Sequence, residues 1–566
     1  MNPRDLIEAL RDKTSRLSLP HLSLSHLMRG WSLDDLGFSS QAPAGFIQPL
    51  KDPWMGQQAT QSEQGRKLCA GTLYHGADSH HFTLNSWGDG AINQSWQKLM
   101  HEFEWLGNLK ALGGDQPRML ARQHVQMWLE MFDQPASFSQ GRGGSAAWRG
   151  DILGARLSQW AFYYDFFGAT ASENFQARFF SSYLKQARYL SRHIDSDMSG
   201  AQIFDALHGL IVAGIALQGR ESWLEQGLDR FQSETEKQIL PDGGHISRSP
   251  AQLLRVLKCC ISIRTILTQA GYPVPALMQH TIDRMAQAVR FFRFADRKFV
   301  LFHGTPAGDI AYIDMILNKA NARGKILNKL PQSGFERLTK GRSVVMMDCG
   351  LPPKAPFDKH AHAAPLAFEF CYGKERVFVS CGTHPFDAQW GDVLRATAAH
   401  NALEIDHRNA CEIKENGHLG RTPRKMSVHR EENHDAVLVE GSHDGYAPIN
   451  GIVHRRRIYL GDNGHNMRGE ENLTCSIGLN RPVGIYIRFH LHPGVQVSLI
   501  RDGEEALLRL PGGAGWRFVA GSGTLKIENS VYFGAGTQPR KTKQIVITGM
   551  MEADHSCIKW ALQREG

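Results

Sequence analysis

A helical first half followed by an antiparallel β-sandwich is the architecture this sequence predicts. Three observations carry that expectation. Apolar residues recur at helical spacing from about residue 125 to about residue 292. From about Gly341 onward, short runs of β-branched and aromatic residues take over. The stretch between, 321–340, is rich in Gly, Asn and Lys and reads as a boundary. With 566 residues, the chain is also too long for one ordinary core.

The helical stripes follow one another along the chain. Val125, Trp128, Leu129 and Phe132 form the first. Leu153, Leu157, Trp160, Tyr164 and Phe167 form the second, with Asp151 as its expected N-cap. Then come Phe180, Tyr183, Leu184 and Ala187; Ile203, Leu207, Leu210 and Ile211; and Trp223, Leu224, Leu228 and Phe231. Leu253, Leu257, Cys260 and Ile261 carry Arg255, Lys258 and Ser262 on the opposite face. Ile282, Met285, Val289 and Phe292 close the series. Punctuation such as Gly113-Gly114-Asp115 and Pro241-Asp242-Gly243-Gly244 turns each helix back on the last. Serial antiparallel hairpins make either a solenoid or a closed α/α toroid, and periodicity does not choose between them.

The expected strands are Leu366 to Cys371, Arg376 to Cys381, Ser343 to Asp348, Ala436 to Glu440, Arg457 to Leu460, Ile485 to His490, Val495 to Ile500, Thr524 to Asn529 and Gln544 to Thr548. Many short strands with little helix between them predict a large antiparallel sandwich. The expected division is a mixed segment over about 1–95, a helical domain over about 96–330 and a sandwich over about 335–566.

Composition narrows the partners. A hydrophobic content of 42% and a charged content of 21% describe a soluble globular protein. The net charge of +8 is mild, and the densest basic run, Arg455-Arg456-Arg457, lies in a strand-like segment. No nucleic-acid partner is expected, whereas an acidic polysaccharide suits the charge. Nine scattered cysteines without CxxC spacing read as reduced thiols. Met1 to Glu8 carries charges where a signal peptide needs an apolar core, and no apolar run is long enough to span a bilayer. Read alone, the chain is expected in the cytoplasm, and its oligomeric state is not legible.

The chemistry concentrates in Lys359-His360-Ala361-His362 through Phe370, taken with Ala398-Ala399-His400-Asn401. On a strand, His360 and His362 face the same way. If a neighbouring strand brings up His400, three imidazoles converge as a metal or acid/base centre. Trp148 is a candidate for sugar stacking and Trp160 for the core; Tyr446 reads as a turn beside a strand. His443, His454, His490 and His492 read as structural.

These residues resemble a family. His360-Ala-His362, Leu366-Ala-Phe368-Glu369, Val379-Ser380-Cys381-Gly382-Thr383 and Arg395-Ala396-Thr397-Ala398-Ala399-His400-Asn401 are similar to the C-terminal domain of heparinase II/III-type polysaccharide lyases. Pro241 to Pro250, Ser442 to Tyr446, His454 to Arg457 and Arg488 to Pro493 agree with it. The resemblance implies an N-terminal α/α toroid followed by an antiparallel β-sandwich. It also implies β-elimination at a uronic acid, in which a carboxylate is neutralised, a base takes the adjacent proton and an acid protonates the leaving oxygen. The family's Asn-His pair falls on Ala201 and Gln202, and its Tyr falls on Gln252. His360 alone matches the usual catalytic set, with His245 as a substitute proton acceptor. Arg248, Gln252 and Gln202 are the implied substrate-binding residues, Arg248 through bidentate contact with a carboxylate. A zinc site is implied at His362 and His400, with Cys381 as third donor because Ser380 stands at the family's Asp position. The family works in the cell envelope or periplasm, which conflicts with the leaderless N-terminus. A binding relative without catalysis is the second reading. A toroid glycoside hydrolase, using carboxylates such as Asp151, Asp205 or Asp242, is the third.

Overall fold

A computed structural model describes residues 45–46, 49–55, 58–76, 78–134, 144–194, 198, 200–384, 388–534, 536 and 538–565. Helices dominate up to Lys319, and strands follow from Lys329. The mixed segment expected over 1–95 lies mostly outside the described residues; its described part holds the helix Gln58–Cys69 and the hairpin Thr72–His75 with Asp78–His81.

The helical stripes form the elements they predict: Asp115–Met131, Gly150–Phe167, Glu173–His193, Gln202–Ala216, Glu221–Gln238, Pro250–Gln269 and Ala276–Phe291. One detail differs. Asp151 is not the N-cap of its helix; Arg149 occupies that position, and Asp151 lies inside the first turn. Helices Gly150–Phe167 and Gln202–Ala216 cross closely because glycine meets glycine: a Cβ on Gly209 would stand 2.3 Å from the Cα of Gly154. Trp148 and Trp160 are both buried in this apolar core.

The β-rich part holds three larger antiparallel sheets. A five-stranded sheet runs in chain order through Lys329–Leu330, Phe335–Lys340, Ser343–Asp348, Phe368–Tyr372 and Glu375–Phe378. Ser343–Asp348 is buried along its whole length, as expected for a strand covered on both faces. The eight-stranded sheet is ordered Gln496–Ile500, Glu505–Arg509, Gly515–Ala520, His555–Arg564, Asn466–Cys475, Ile452–Gly461, Val437–Tyr446 and Met426–Glu432. Val437–Tyr446 alternates buried and half-buried residues, so one face packs on the core and the other approaches water. The four-stranded sheet is ordered Thr524–Tyr532, Arg540–Met551, Val483–His490 and Leu403–Ile405. Phe368, Phe378, Phe489, Trp516 and Trp560 fill the core between the sheets.

Two charged clusters pin these layers. Arg456 and Glu471 are fully buried and paired at 2.8 Å, with His454 Nε2 2.7 Å from the same carboxylate. Arg456 also donates to the carbonyls of Leu366 and Asn401, fastening the segments that carry His362 and His400. Arg248, in a left-handed conformation at φ 61°, reaches from the helical part into the sheets. It donates to the carbonyl oxygens of Ser333, Gly350 and Gly334 at 2.8, 3.1 and 3.2 Å, and to the carboxylate of Asp348. Its guanidinium lies 4.5 Å from the Phe335 ring centroid.

Candidate functional site

His360 does not lie on a strand. Residues 359–363 run as turn and irregular backbone, so strand alternation does not apply to them. His360 is exposed and His362 is buried. Arg395 fixes this segment by donating to the carbonyls of Ala361 and Asp358 at 2.9 and 3.2 Å. Across the gap stands the helix Pro250–Gln269, which begins with Pro at its first turn. Gln252 on that helix brings its amide Nε2 to 3.3 Å from His360 Nε2. Surrounding protein atoms, then the cations Arg395, Arg255 and Lys359, hold the His360 imidazole down to about 4, so it is neutral at pH 7.

One turn beyond Gln252, Arg255 forms an ion pair with Asp205 and lies 3.7 Å from Asp151. Gln202 opens the helix that carries Asp205 three residues later, which puts both on one face. Ala201 precedes it and is buried. Lys258 pairs with Glu104 at 3.2 Å, Lys98 with Glu102 at 3.5 Å and Arg149 with Asp151 at 2.6 Å. Four cations therefore meet four carboxylates around this cleft. Burial raises the Glu102 carboxyl to about 7.

Other expected residues go elsewhere. His245 is buried with both ring nitrogens engaged: Ser247 N–H donates to Nδ1 at 3.1 Å, and Nε2 lies 3.0 Å from Gln238 Oε1. Burial holds it down to about 3. It has no free nitrogen with which to take a proton from a substrate. Every nitrogen of the Arg248 guanidinium is spent on the clamp described above, so no fork remains for a substrate carboxylate. His208 lies between Ser158 and Ser262, 2.8 and 2.7 Å from their hydroxyls, as a core histidine. Tyr446 is buried and donates to the carbonyl of Leu403.

Three imidazoles do converge, but the third is His303 rather than His360. The His362 ring stacks on His400 with centroids 4.2 Å apart and stands 5.2 Å from His303. His303 Nε2 is 2.8 Å from Asp348, the carboxylate that also receives Arg248. The donor set does not fit zinc. The backbone amides of His303 and Gly304 face the two His362 nitrogens at 3.2 and 2.9 Å, and a neutral imidazole has only one lone pair to offer. Cys381 packs with Leu394, Ala399 and Phe533, its sulfur 3.5 Å from His490 Nδ1. Burial pushes its thiol up to about 12. Of these three imidazoles, His400 alone has both nitrogens without a hydrogen bond, and among the described residues no three His, Cys, Asp or Glu side chains are placed to hold a metal. Two outcomes follow. Cys381 in the native protein at pH 8 is expected to resist iodoacetamide, labelling only after denaturation, as peptide mass spectrometry reads. Dialysis against a chelator is expected to leave the melting temperature unchanged.

Arg255 and Lys258 were legible only as the polar side of an amphipathic helix, and His303 carries no sequence pattern at all. The architecture and this cleft invite comparison with known proteins. A profile of the heparinase II/III N-terminus matches residues 79–320, and a profile of the heparinase II/III-like C-terminal region matches residues 322–561. The chain belongs to the heparinase II/III family. It is polysaccharide lyase-like, with the family's toroid and β-sandwich. FtsZ-localized protein C of Caulobacter vibrioides is 28% identical over 514 residues, covering 88% of this chain and 86% of that protein. A crystal structure of heparinase III superposes with a TM-score of 0.72 at 14% identity, over 91% of this chain and 87% of that one. Heparan sulfate lyase HepC from Pedobacter heparinus gives 0.60 at 14%, over 93% and 84%. At that identity the two lyases speak for the fold alone. Among the described residues of this heparinase II/III member, no helix is long and apolar enough to cross a membrane.

Proposed function

We propose that this chain binds a sparsely charged acidic oligosaccharide in the His360 cleft and does not carry out the β-elimination of its family. The observation that carries this reading is the contact between His360 and Gln252. Elimination needs a group that gives or takes a proton at the leaving oxygen, and the Gln252 amide does neither. The cleft cations point the same way. Neutralising a uronate requires positive charge aimed at it, and Arg255, Lys258, Lys98 and Arg149 each already face a carboxylate. A densely sulfated chain would meet the carboxylates of Glu104 and Asp205 as well. His360, Gln252 and Gln202 supply hydrogen bonds to sugar hydroxyls instead.

Affinity electrophoresis through gels containing hyaluronan, alginate or heparan sulfate tests this. Retardation is expected in one of the first two and is expected to be lost in His360→Ala. The ultraviolet absorbance of an unsaturated uronate is expected to stay flat on all three. A rising absorbance that His360→Ala abolishes would instead make the neutral His360 imidazole a working base, and the chain a lyase.

A second reading rests on the relative in Caulobacter vibrioides, which is twice as similar in sequence as the lyases and is named for localisation with FtsZ. A matching assembly role for this chain is tested by co-sedimentation with FtsZ polymers. Absence from the pellet at saturating polymer would remove it.

A further inference from the structure

A second cavity lies in the seam between the helical part and the sheets, and its charge is unlike that of the cleft. It encloses about 530 Å³ and is lined from the helical side by residues 295–298 and Ile310, and from the sheet side by 374–376, His492, Pro511, Tyr532 and Arg540. Arg297, Lys298, Lys374, Arg376 and Arg540 stand against only Asp296 and Glu375. Asp296 is already paired, accepting from Arg376 Nε at 2.8 Å, whereas Glu375 keeps its charge and, among the described residues, meets only the backbone N–H of Gly512. Arg297 is paired outward with Asp314 at 2.8 Å. Lys298, Lys374 and Arg540 are left without an ion pair or a side-chain hydrogen bond among the described residues.

Local structure aims these groups at one volume. Antiparallel pairing sets Arg540 directly across from Tyr532. Lys374 tips the two-residue turn between Phe368–Tyr372 and Glu375–Phe378. Lys298 lies in the turn where Asp296 accepts its backbone N–H. His492 meets the Tyr532 ring edge-on at 5.1 Å, and Gly494 N–H donates to its Nδ1, which leaves Nε2–H as a donor. Arg376 is nearly fully buried, and its Nη1 finds no hydrogen-bond acceptor, with Glu369 Oε2 standing 3.9 Å off. Like charges gathered around a cavity repel one another unless an anion sits among them. The volume is that of a small-molecule site rather than of a single ion.

We propose that this seam cavity binds a small oxyanion-bearing ligand, a phosphorylated or sulfated compound of up to disaccharide size. Lys298, Lys374 and Arg540 hold the oxyanion, while His492 and Tyr532 donate to it or to the attached body. The site is independent of the His360 cleft. Because its walls come from both parts of the chain, occupancy fastens the two together.

Isothermal titration of the full chain with pyrophosphate in one arm and a sulfated disaccharide in the other tests the proposal. Binding is expected at millimolar probe or below, weakening steeply with added salt. Lys374→Glu and Arg540→Glu, both at exposed positions, are each expected to weaken it by about tenfold or more. His360→Ala is expected to leave it unchanged. Stronger binding of pyrophosphate assigns the site to phosphorylated small molecules; stronger binding of the disaccharide assigns it to a sulfated glycan end. No heat with either probe at millimolar concentration, or binding that both charge reversals leave intact, overturns the site.

Discussion

Arg248→Ala is expected to lose about 3–5 kcal/mol of folding stability, the range found when one partner of a buried ion pair is removed. The reason is what the guanidinium leaves behind. Asp348 is buried, and the Arg248 guanidinium beside it, with His303, holds its carboxyl down to about 2. Without Arg248 the carboxylate keeps only His303. The carbonyls of Ser333, Gly334 and Gly350 lose their donors as well. A single-domain stability is on the order of 5–15 kcal/mol, so the loss is a large share of it. Urea unfolding should show a lower midpoint at an unchanged slope. Arg248→Lys keeps a charge but loses the fork and is expected to fall between the two. Arg248→Gly relieves the left-handed backbone yet is expected to lose as much as Ala, because the clamp goes with the side chain. If the residue served substrate instead, binding would fall while the midpoint stayed put, and the clamp would be refuted.

The second large effect is acid unfolding well above the carboxylate range. Burial holds His101, His208, His245, His400 and His490 down to about 3, and His124 down to about 4. In the unfolded chain each titrates near 6.5. Between those values the unfolded state binds protons that the folded state refuses. Stability from these groups is therefore complete above about pH 6.5 and is lost as pH falls toward about 3. Each fully shifted histidine removes about 1.4 kcal/mol per pH unit, so six remove on the order of 8 kcal/mol per unit. One to two units below pH 6.5 exhaust an ordinary stability, which puts the acid midpoint near about pH 5. Circular dichroism from pH 8 to 3 reads it directly. A fold intact at pH 4 would mean that these rings accept protons in place.

The fold was legible because its signals are local. A helix announces itself every third or fourth residue and a strand every second, so the stripes at Leu253 to Ile261 and the run Ser343 to Asp348 emerge where they were expected. The family motif likewise lies within consecutive residues. The site was less legible because its contacts are distant in sequence. His303 meets His362 across 59 residues, and Arg248 meets Asp348 across 100. Residue type alone did not separate Arg248, which holds the backbone of its own chain, from an arginine that holds a ligand. His360 and His362 are two residues apart, yet one faces solvent and the other the core, because the backbone between them is irregular. The Gln252–His360 contact was half visible: both positions emerged from motif matching, and the geometry joined them.

The strand order of the eight-stranded sheet carries a consequence for biosynthesis. The strand His555–Arg564 lies in the middle of that sheet, between Gly515–Ala520 and Asn466–Cys475. Until residues 555–564 leave the ribosome, Asn466–Cys475 and Gly515–Ala520 each lack the strand that pairs with them on one side. Open edges of that kind pair with neighbouring chains as readily as with the missing strand. Deleting residues 555–564 is therefore expected to leave both edges open and to drive aggregation through 466–475 and 515–520, which light scattering reads.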